Sequence, residues 1–185
     1  MIIIDEKKIF DVIKTKKPVS VALNGPDGIL PKVQDLALKI NQKCGIPAYL
    51  LADATWGSCD LNSIGANVLE AEILFNIGHT NKLEIFEKNI YMIDAYDDIP
   101  FDSVVEKCVK QFKGNTVSLL TDSQYLHQID HIAKTLENNG VIVKIGNGKG
   151  QLNDGQVFGC EFYPATEIKN DVDANIFLGQ SNFHA

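Results

Sequence analysis

Two cysteines stand close behind glycines in loop-like segments, Gly57-Ser58-Cys59 and Gly159-Cys160. A thiolate in such a position can ligate a soft metal. Ligands of open α/β sheets gather at the carboxyl ends of strands, and Ala54–Asp60, with Cys59 at the end of a buried strand, should lie there. Spacing alone leaves two readings open, a pair of metal ligands or two coincidental loop cysteines. No Cys-x-x-Cys pair occurs, which excludes a zinc ribbon and a thioredoxin-like motif. If metal is bound, the two thiolates come from different domains meeting at an interface. Soft thiolates without closely spaced histidines favour iron–sulfur over zinc.

The remaining candidates divide by context. Cys44 and Cys108 fall on the apolar stripes of predicted helices, where a cysteine behaves as a small hydrophobe. Asn24-Gly25-Pro26-Asp27-Gly28, between a strand and a helix, either presents backbone N–H groups to an anionic or zwitterionic ligand or forms a tight turn. Gly146-Asn147-Gly148-Lys149-Gly150 opens no helix and lacks Walker spacing, so it reads as a flexible loop. His127 and His131 are four apart on a helix, but Gln128 stands where a zincin needs Glu, which favours a solvated face. His79 and His184 follow strands at matching positions and suit a role beside a metal or a substrate, with helix capping as the alternative. Asp97-Asp98 read as linker residues.

Elements must position these groups, and composition bounds what the elements build. The apolar fraction of 45% and charged fraction of 22% over 185 residues are those of an ordinary globular protein. No apolar run approaches the ~20 residues of a spanning helix, and Met1–Phe10 is not laid out as a signal peptide. A cytoplasmic protein with reduced thiols, and without a membrane partner, is expected. The formal net charge is −7 and the chain has no arginine, which argues against nucleic-acid binding.

Short apolar runs alternate with helical patterns, the signature of β–α–β units and parallel sheets. The predicted strands are Val19–Leu23, Ala48–Ala52, Ile73–Ile77, Ile90–Ile93, Val117–Leu120, Val141–Ile145, Val157–Phe162 and Asn175–Leu178. Helical stripes run from Leu30 to Cys44, capped by Gly45, from Val104 to Phe112, and from Tyr125 to Leu136. Asp5–Lys16 reads as a peripheral helix ended by Pro18. The two halves repeat one another: strand, turn, helix, strand, glycine and cysteine, with the cysteine 40 residues past the strand start in one half and 43 in the other. The expected organisation is α/β with two similar small domains, 1–99 carrying Cys59 and 100–185 carrying Cys160. Each is a mostly parallel sheet flanked by helices, and a third homologous unit is expected to be missing after Ala185.

The segment Asp53-Ala54-Thr55-Trp56-Gly57-Ser58-Cys59-Asp60, followed by Ile77-Gly78-His79, resembles the Asp-x-Thr-Tyr-Gly-Ala-Cys … Gly-His pattern of the diphthamide-synthesis family, the 2-(3-amino-3-carboxypropyl)histidine synthases of archaeal type. Pro26-Asp27-Gly28, Ser123-Gln124-Tyr125-Leu126-His127, Gly155-Gln156-Val157-Phe158-Gly159-Cys160 and Phe183-His184 fall in the family's order. Trp56 replaces a usual Tyr, and Thr80 follows Gly-His where Ser or Ala is common. The resemblance implies three domains, each giving one cysteine to a four-iron, four-sulfur (4Fe-4S) cluster, with Cys59 and Cys160 as the first two metal ligands. It implies Gly57, Gly78, His79, Gln124 and His127 as cofactor-binding positions, and names no catalytic residue.

The activity implied is that of a transferase. S-adenosylmethionine is cleaved by iron–sulfur radical chemistry, and its 3-amino-3-carboxypropyl group passes to a histidine of translation elongation factor 2, the first step of diphthamide biosynthesis. A homodimer or a homologous partner subunit is expected. The third cysteine of the family pattern does not occur here, so the chain alone is expected to be a poor catalyst. The alternatives are a non-catalytic partner subunit and a three-cysteine enzyme resembling quinolinate synthase.

Overall fold

A computed structural model describes residues 2–53, 55–82 and 89–179. They form two compact units, one built from residues 2–80 and 89–96, the other from 97–179 with Asn81 and Lys82.

The first unit begins with β1 (Ile2–Ile4), which pairs with β6 (Ala95–Asp97), and with α1 (Glu6–Lys16). Asp5 caps α1 by accepting from Lys8 N at 3.1 Å. The helix ends at Lys16 as expected, with Lys17 taking the left-handed conformation just before Pro18. There follow β2 (Val21–Asn24), α2 (Leu30–Cys44), β3 (Ala48–Leu50), α3 (Ser63–Val68), β4 (Ile73–Ile77) and β5 (Ile90–Ile93). The sheet runs β3-β2-β4-β5 and every pairing in it is parallel. Val21 stands opposite both Ala48 and Ile73, so β2 is central.

A central parallel strand is covered on both faces, which is why β2 and β4 read as apolar runs interrupted only by Asn24 and Asn76. On one face Val21 and Leu23 join Ile9 and Ile13 of α1 and Val33, Leu36 and Ile40 of α2. On the other, Ala22 packs with Leu51, Ala66 and Leu74. Each fully buried Leu or Ile contributes about 1.5–3 kcal/mol. Gly45, with φ +68°, stops α2 in the conformation a left-handed cap requires.

The second unit carries α4 (Asp102–Phe112), β7 (Thr116–Thr121), a 3-10 turn at Leu126–Gln128 leading into α5 (Ile129–Asn138), β8 (Ile142–Lys144), α6 (Tyr163–Glu167) and β9 (Ala174–Leu178). Its sheet, β8-β7-β9, is also parallel throughout. Val117 and Leu119 pack with Ile132 and Leu136 of α5, Val105 of α4, and Ile176 and Leu178 of β9. The order β8-β7-β9 matches β3-β2-β4, so the sequence repeat is a repeat of topology.

One predicted strand fails. Val157–Phe162 forms no strand; a single bridge joins Thr121 to Gln156. Gly155 enters this segment at φ +68°, and Phe158 N bonds Glu161 O at 2.7 Å, folding it into a turn that no ladder continues. Asp97 is also no linker residue: it is buried, its N–H donating to Gln124 O at 3.2 Å. Among the described residues no helix is long and apolar enough to cross a membrane.

Candidate functional site

In the first unit the carboxyl ends of the parallel strands converge on one edge. After β2 the chain makes a 3-10 turn at Asp27–Ile29, with Ile29 N bonding Pro26 O at 3.0 Å, so the Gly-Pro-Asp-Gly segment is a tight turn. A Cβ on Gly25 would stand 3.0 Å from Ile77 O, and one on Gly78 would meet the Pro26 ring at 3.4 Å. The turn after β2 therefore packs directly against the end of β4. Gly78 at φ +73° and His79 at φ +48° are two successive left-handed residues there, costly for histidine and set where the backbone must turn sharply. Gly78 N bonds Ile93 O at 2.9 Å, and Thr80 Oγ1 donates to Asp94 Oδ1 at 2.7 Å.

Cys59 is not at the end of β3 but well beyond it, in the loop that leads to α3. Inside that loop Trp56 N donates to Asp60 Oδ2 at 3.0 Å and Asp60 N donates to Gly57 O at 3.0 Å. This turn presents Cys59 to solvent between Ser58 and Asp60. At its base Asn62 donates to Asp53 Oδ2 and accepts from Gly65 N, so one residue closes the loop and caps α3. Among the described residues nothing crowds a Cβ on Gly57. His79 is half-buried, and that burial lowers its pKa; the nearby Asp60 carboxylate opposes the shift. The Cys59 loop and His79 thus share one electrostatic neighbourhood.

Two groups escaped the sequence reading. Asn24, wholly buried at the end of β2, has no partner for Nδ2 or Oδ1 among the described residues, and Thr55 Oγ1, in the Cys59 loop, has none either. A buried polar group without a partner costs roughly 1–3 kcal/mol. Native structures keep such groups rare. The sequence named Asn24 and Thr55 only as members of longer segments, Asn24–Gly28 and Asp53–Asp60, and did not single out their side chains.

In the second unit, β7 ends in Thr121, whose N–H donates to Gly155 O at 2.9 Å and whose carbonyl accepts from Val157 N at 2.8 Å. Gln156 is wholly buried, its Oε1 accepting from Asn153 N and Nδ2 at 3.0 and 2.7 Å. The turn Phe158–Glu161 then carries Cys160 into solvent, and Glu161 Oε1 accepts from Tyr163 N at the start of α6. Gln124 follows β7 and is half-buried; its N–H donates to Asp122 Oδ1 at 2.8 Å and its Nε2 to the Tyr125 hydroxyl at 3.4 Å. His127 is exposed, with Nε2 3.4 Å from Asp98 Oδ1. His131 faces solvent. Phe183 and His184 lie outside the described residues.

The Gly146–Gly150 segment cradles no phosphate. Asn147 N and Gly148 N donate to Glu167 and Asp154 at 2.7 Å each, so its own carboxylates hold those N–H groups. Cys44 and Cys108 are half-buried against the two helix-packed cores, and burial pushes the Cys108 thiol up. The four cysteines, all described, form no disulfide. Cys59 and Cys160 are the exposed pair, and exposed loop thiols fit the soft donors of an iron–sulfur cluster. Among the described residues no three His, Cys, Asp or Glu side chains gather as a metal site.

The family model for diphthamide synthesis proteins matches residues 25–185. The 2-(3-amino-3-carboxypropyl)histidine synthase of Pyrococcus horikoshii is 23% identical over 184 residues, which is 98% of this chain and 53% of that protein. Subunit 1 of the Schizosaccharomyces pombe synthase is 27% identical, over 93% of this chain and 41% of that protein. The chain spans about half the length of the archaeal relative and less of the yeast one. The crystal structure of Dph2 from Pyrococcus horikoshii with a 4Fe-4S cluster superposes with a TM-score of 0.87 at 23% identity, covering 100% of this chain and 55% of that one. At that identity the likeness shows the fold.

Proposed function

Since the chain belongs to the diphthamide synthesis protein family, we propose that it serves the transfer of the 3-amino-3-carboxypropyl group from S-adenosylmethionine to a histidine of translation elongation factor 2. The observation that carries this reading is the matched placement of the two exposed thiols. Cys59 follows β3 and precedes the short helix α3; Cys160 follows β8 and precedes the short helix α6. In each unit the thiol sits in the long loop after the second strand of a β–α–β repeat, and ligands of such sheets gather at the carboxyl ends of strands.

Each cysteine would give one thiolate to a 4Fe-4S cluster. When bound, the cluster supplies the electron that cleaves the sulfonium substrate. The chain's own residues then bind and orient. Gly57, Gly78 and His79 would line the substrate around Cys59, and Gln124 and His127 would do so at the end of β7. Burial favours neutral His79, which offers one donor and one acceptor nitrogen without adding a charge beside a cationic substrate.

Anaerobic reconstitution of the full chain tests the reading. Iron, sulfide and visible absorbance should track Cys59 and Cys160: Cys59→Ser and Cys160→Ser lose the cluster, while Cys44→Ser and Cys108→Ser keep it. Cluster content unchanged in both loop variants would remove the thiolate assignment. Aminocarboxypropyl transfer to elongation factor 2 is then measured on the loaded protein. A second reading is a non-catalytic partner within a multi-subunit synthase, the yeast relative being one subunit of such an enzyme. It predicts that Ser at either loop cysteine leaves the transfer activity of an assembled complex intact.

A further inference from the structure

The Gly146–Gly150 loop takes no part in the site described above, yet it is built closely against α6, the helix that begins three residues after Cys160. A Cβ on Gly146 would fall on the Pro164 carbonyl oxygen and lie 2.9 Å from Pro164 Cα. The φ of Gly146 is not left-handed, so close approach to α6, not backbone freedom, calls for glycine there. Glu167 grips the same loop with both oxygens. Its Oε2 accepts from Asn147 N at 2.7 Å and its Oε1 from Asn147 Nδ2 at 3.0 Å. Lys149 Nζ lies 4.9 Å from the centre of the Tyr163 ring. The loop therefore meets α6 at its first, second and last residues.

The loop is itself fixed to the sheet. Gly146 O accepts from Gly155 N at 2.9 Å, and Gly155 O accepts from Thr121 N at 2.9 Å at the end of β7. Thr121 O accepts in turn from Val157 N at 2.8 Å. The segment Val157–Tyr163, with Cys160 at its middle, is thus tied to Thr121 at one end directly and at the other through α6 and the loop. Within it, Phe158 N donates to Glu161 O and Tyr163 N to Glu161 Oε1, so the turn moves with the start of α6. A ligand thiolate on a turn serves best when its place is fixed before metal arrives. We infer that the loop sets the position of the Cys160 thiol, with Gly146, Asn147 and Glu167 as positioning residues, which rests on the reading of Cys160 as a cluster ligand. The first unit closes its cysteine segment with the same pair of groups, the Asn62 amide on the Asp53 carboxylate.

Asn147→Asp sets a second carboxylate against Glu167 and should free the end of α6. Adding Glu167→Gln restores the grip with its polarity reversed: the new amide accepts from the N–H of residue 147 and donates to its carboxylate. Glu167→Gln alone should also hold, because the Asn147 amide, turned over, pairs with that amide. Two measurements on the full chain read the effect. Amide hydrogen exchange of the metal-free protein should rise over residues 158–168 in Asn147→Asp and stay unchanged over 55–60. After anaerobic reconstitution, iron loss to a chelator, followed by the fading visible absorbance, should run about fivefold faster, the worth of one hydrogen bond. Both should return to the wild-type values in the double variant. Gly146→Ala should act in the same direction and more strongly; if it does not fold, the Asn147 and Glu167 variants still decide.

Melting of the metal-free chain separates positioning from general stability. Asn147 and Glu167 are exposed, so the melting temperature of Asn147→Asp should hold. A clear fall that accompanies the faster iron loss makes the loop a matter of stability and overturns the inference. So does unchanged exchange over 158–168, wild-type iron loss despite raised exchange, or a double variant that rescues nothing. In each of these cases the ligand reading survives through loss of the cluster in Cys160→Ser. If the wild-type chain takes up no cluster, both fall.

Discussion

Asn62 donates through Nδ2 to Asp53 Oδ2 at 2.7 Å, closing the base of the loop that carries Cys59. The same side chain accepts from Gly65 N at 3.0 Å and caps α3. The two bonds separate by substitution. Asn62→Ala loses both and should cost about 1 kcal/mol in urea unfolding, the usual worth of a cap. Asp53→Ala loses only an exposed bond and should fall within about 0.5 kcal/mol of the wild type. Both should speed proteolytic nicking in the loop. Equal stability losses would mean that the clasp, not the cap, dominates.

The thiols should divide into two pairs. Cys59 and Cys160 are exposed, whereas Cys44 and Cys108 are half-buried on helix stripes, and burial further disfavours the Cys108 thiolate. A disulfide reagent at mildly alkaline pH should label two equivalents fast and two slowly. Mass mapping of the fast pair to Cys44 or Cys108 would contradict this placement.

Two glycines should behave oppositely. A Cβ on Gly155, at φ +68°, would stand 2.4 Å from Ile129 Cδ1 and 2.9 Å from Ile145 Cγ2. Gly155→Ala should therefore lose about 3 kcal/mol from backbone strain and overpacking together. Gly57 has no described residue within 4 Å of a Cβ, so Gly57→Ala should leave stability within about 0.5 kcal/mol. Any loss of substrate binding in the latter variant then bears on the cofactor role rather than on folding.

The pH dependence of stability should carry a signature of His79. Burial lowers its folded pKa below the ordinary value near 6.5. The unfolded chain therefore binds the proton first, so stability is full above about pH 6.5 and falls as pH drops towards the folded pKa. Urea midpoints at neutral and mildly acidic pH should diverge for the wild type and converge for His79→Asn. Asparagine is the apt replacement because it tolerates φ +48° better than most residues.

Much of the fold was legible because central parallel strands announce themselves. Every residue of β4 is buried, and five of the six in β7. What escaped were pieces whose residues do not follow their burial. The apolar residues Ile64 and Val68 of α3 are each 78% exposed, so no inward stripe marks that helix. The helix α6 has five residues and a proline in its first turn, too short for a period to show. β1 and β6 have three residues each. At the site, cysteine spacing and the repeat singled out Cys59 and Cys160. Asn24 and Thr55 stayed hidden, since lacking a partner is a property of three dimensions and leaves no trace in residue type.

The all-parallel pairing of β7 with β9 has a kinetic consequence. Ser118 and Asn175, hydrogen-bonded across these strands at 2.7 Å, are 57 residues apart in the chain. No hairpin can nucleate such a ladder, and closing a loop of that length is entropically uphill before any contact rewards it. During synthesis β7 leaves the ribosome with β8 close behind, but its other edge stays bare until Ala174–Leu178 has been made. For that interval a strand whose Val117, Leu119 and Leu120 are buried in the finished sheet lies open to other chains, and slow translation or a nascent-chain holdase across residues 145–173 should govern how much of the protein reaches its native sheet.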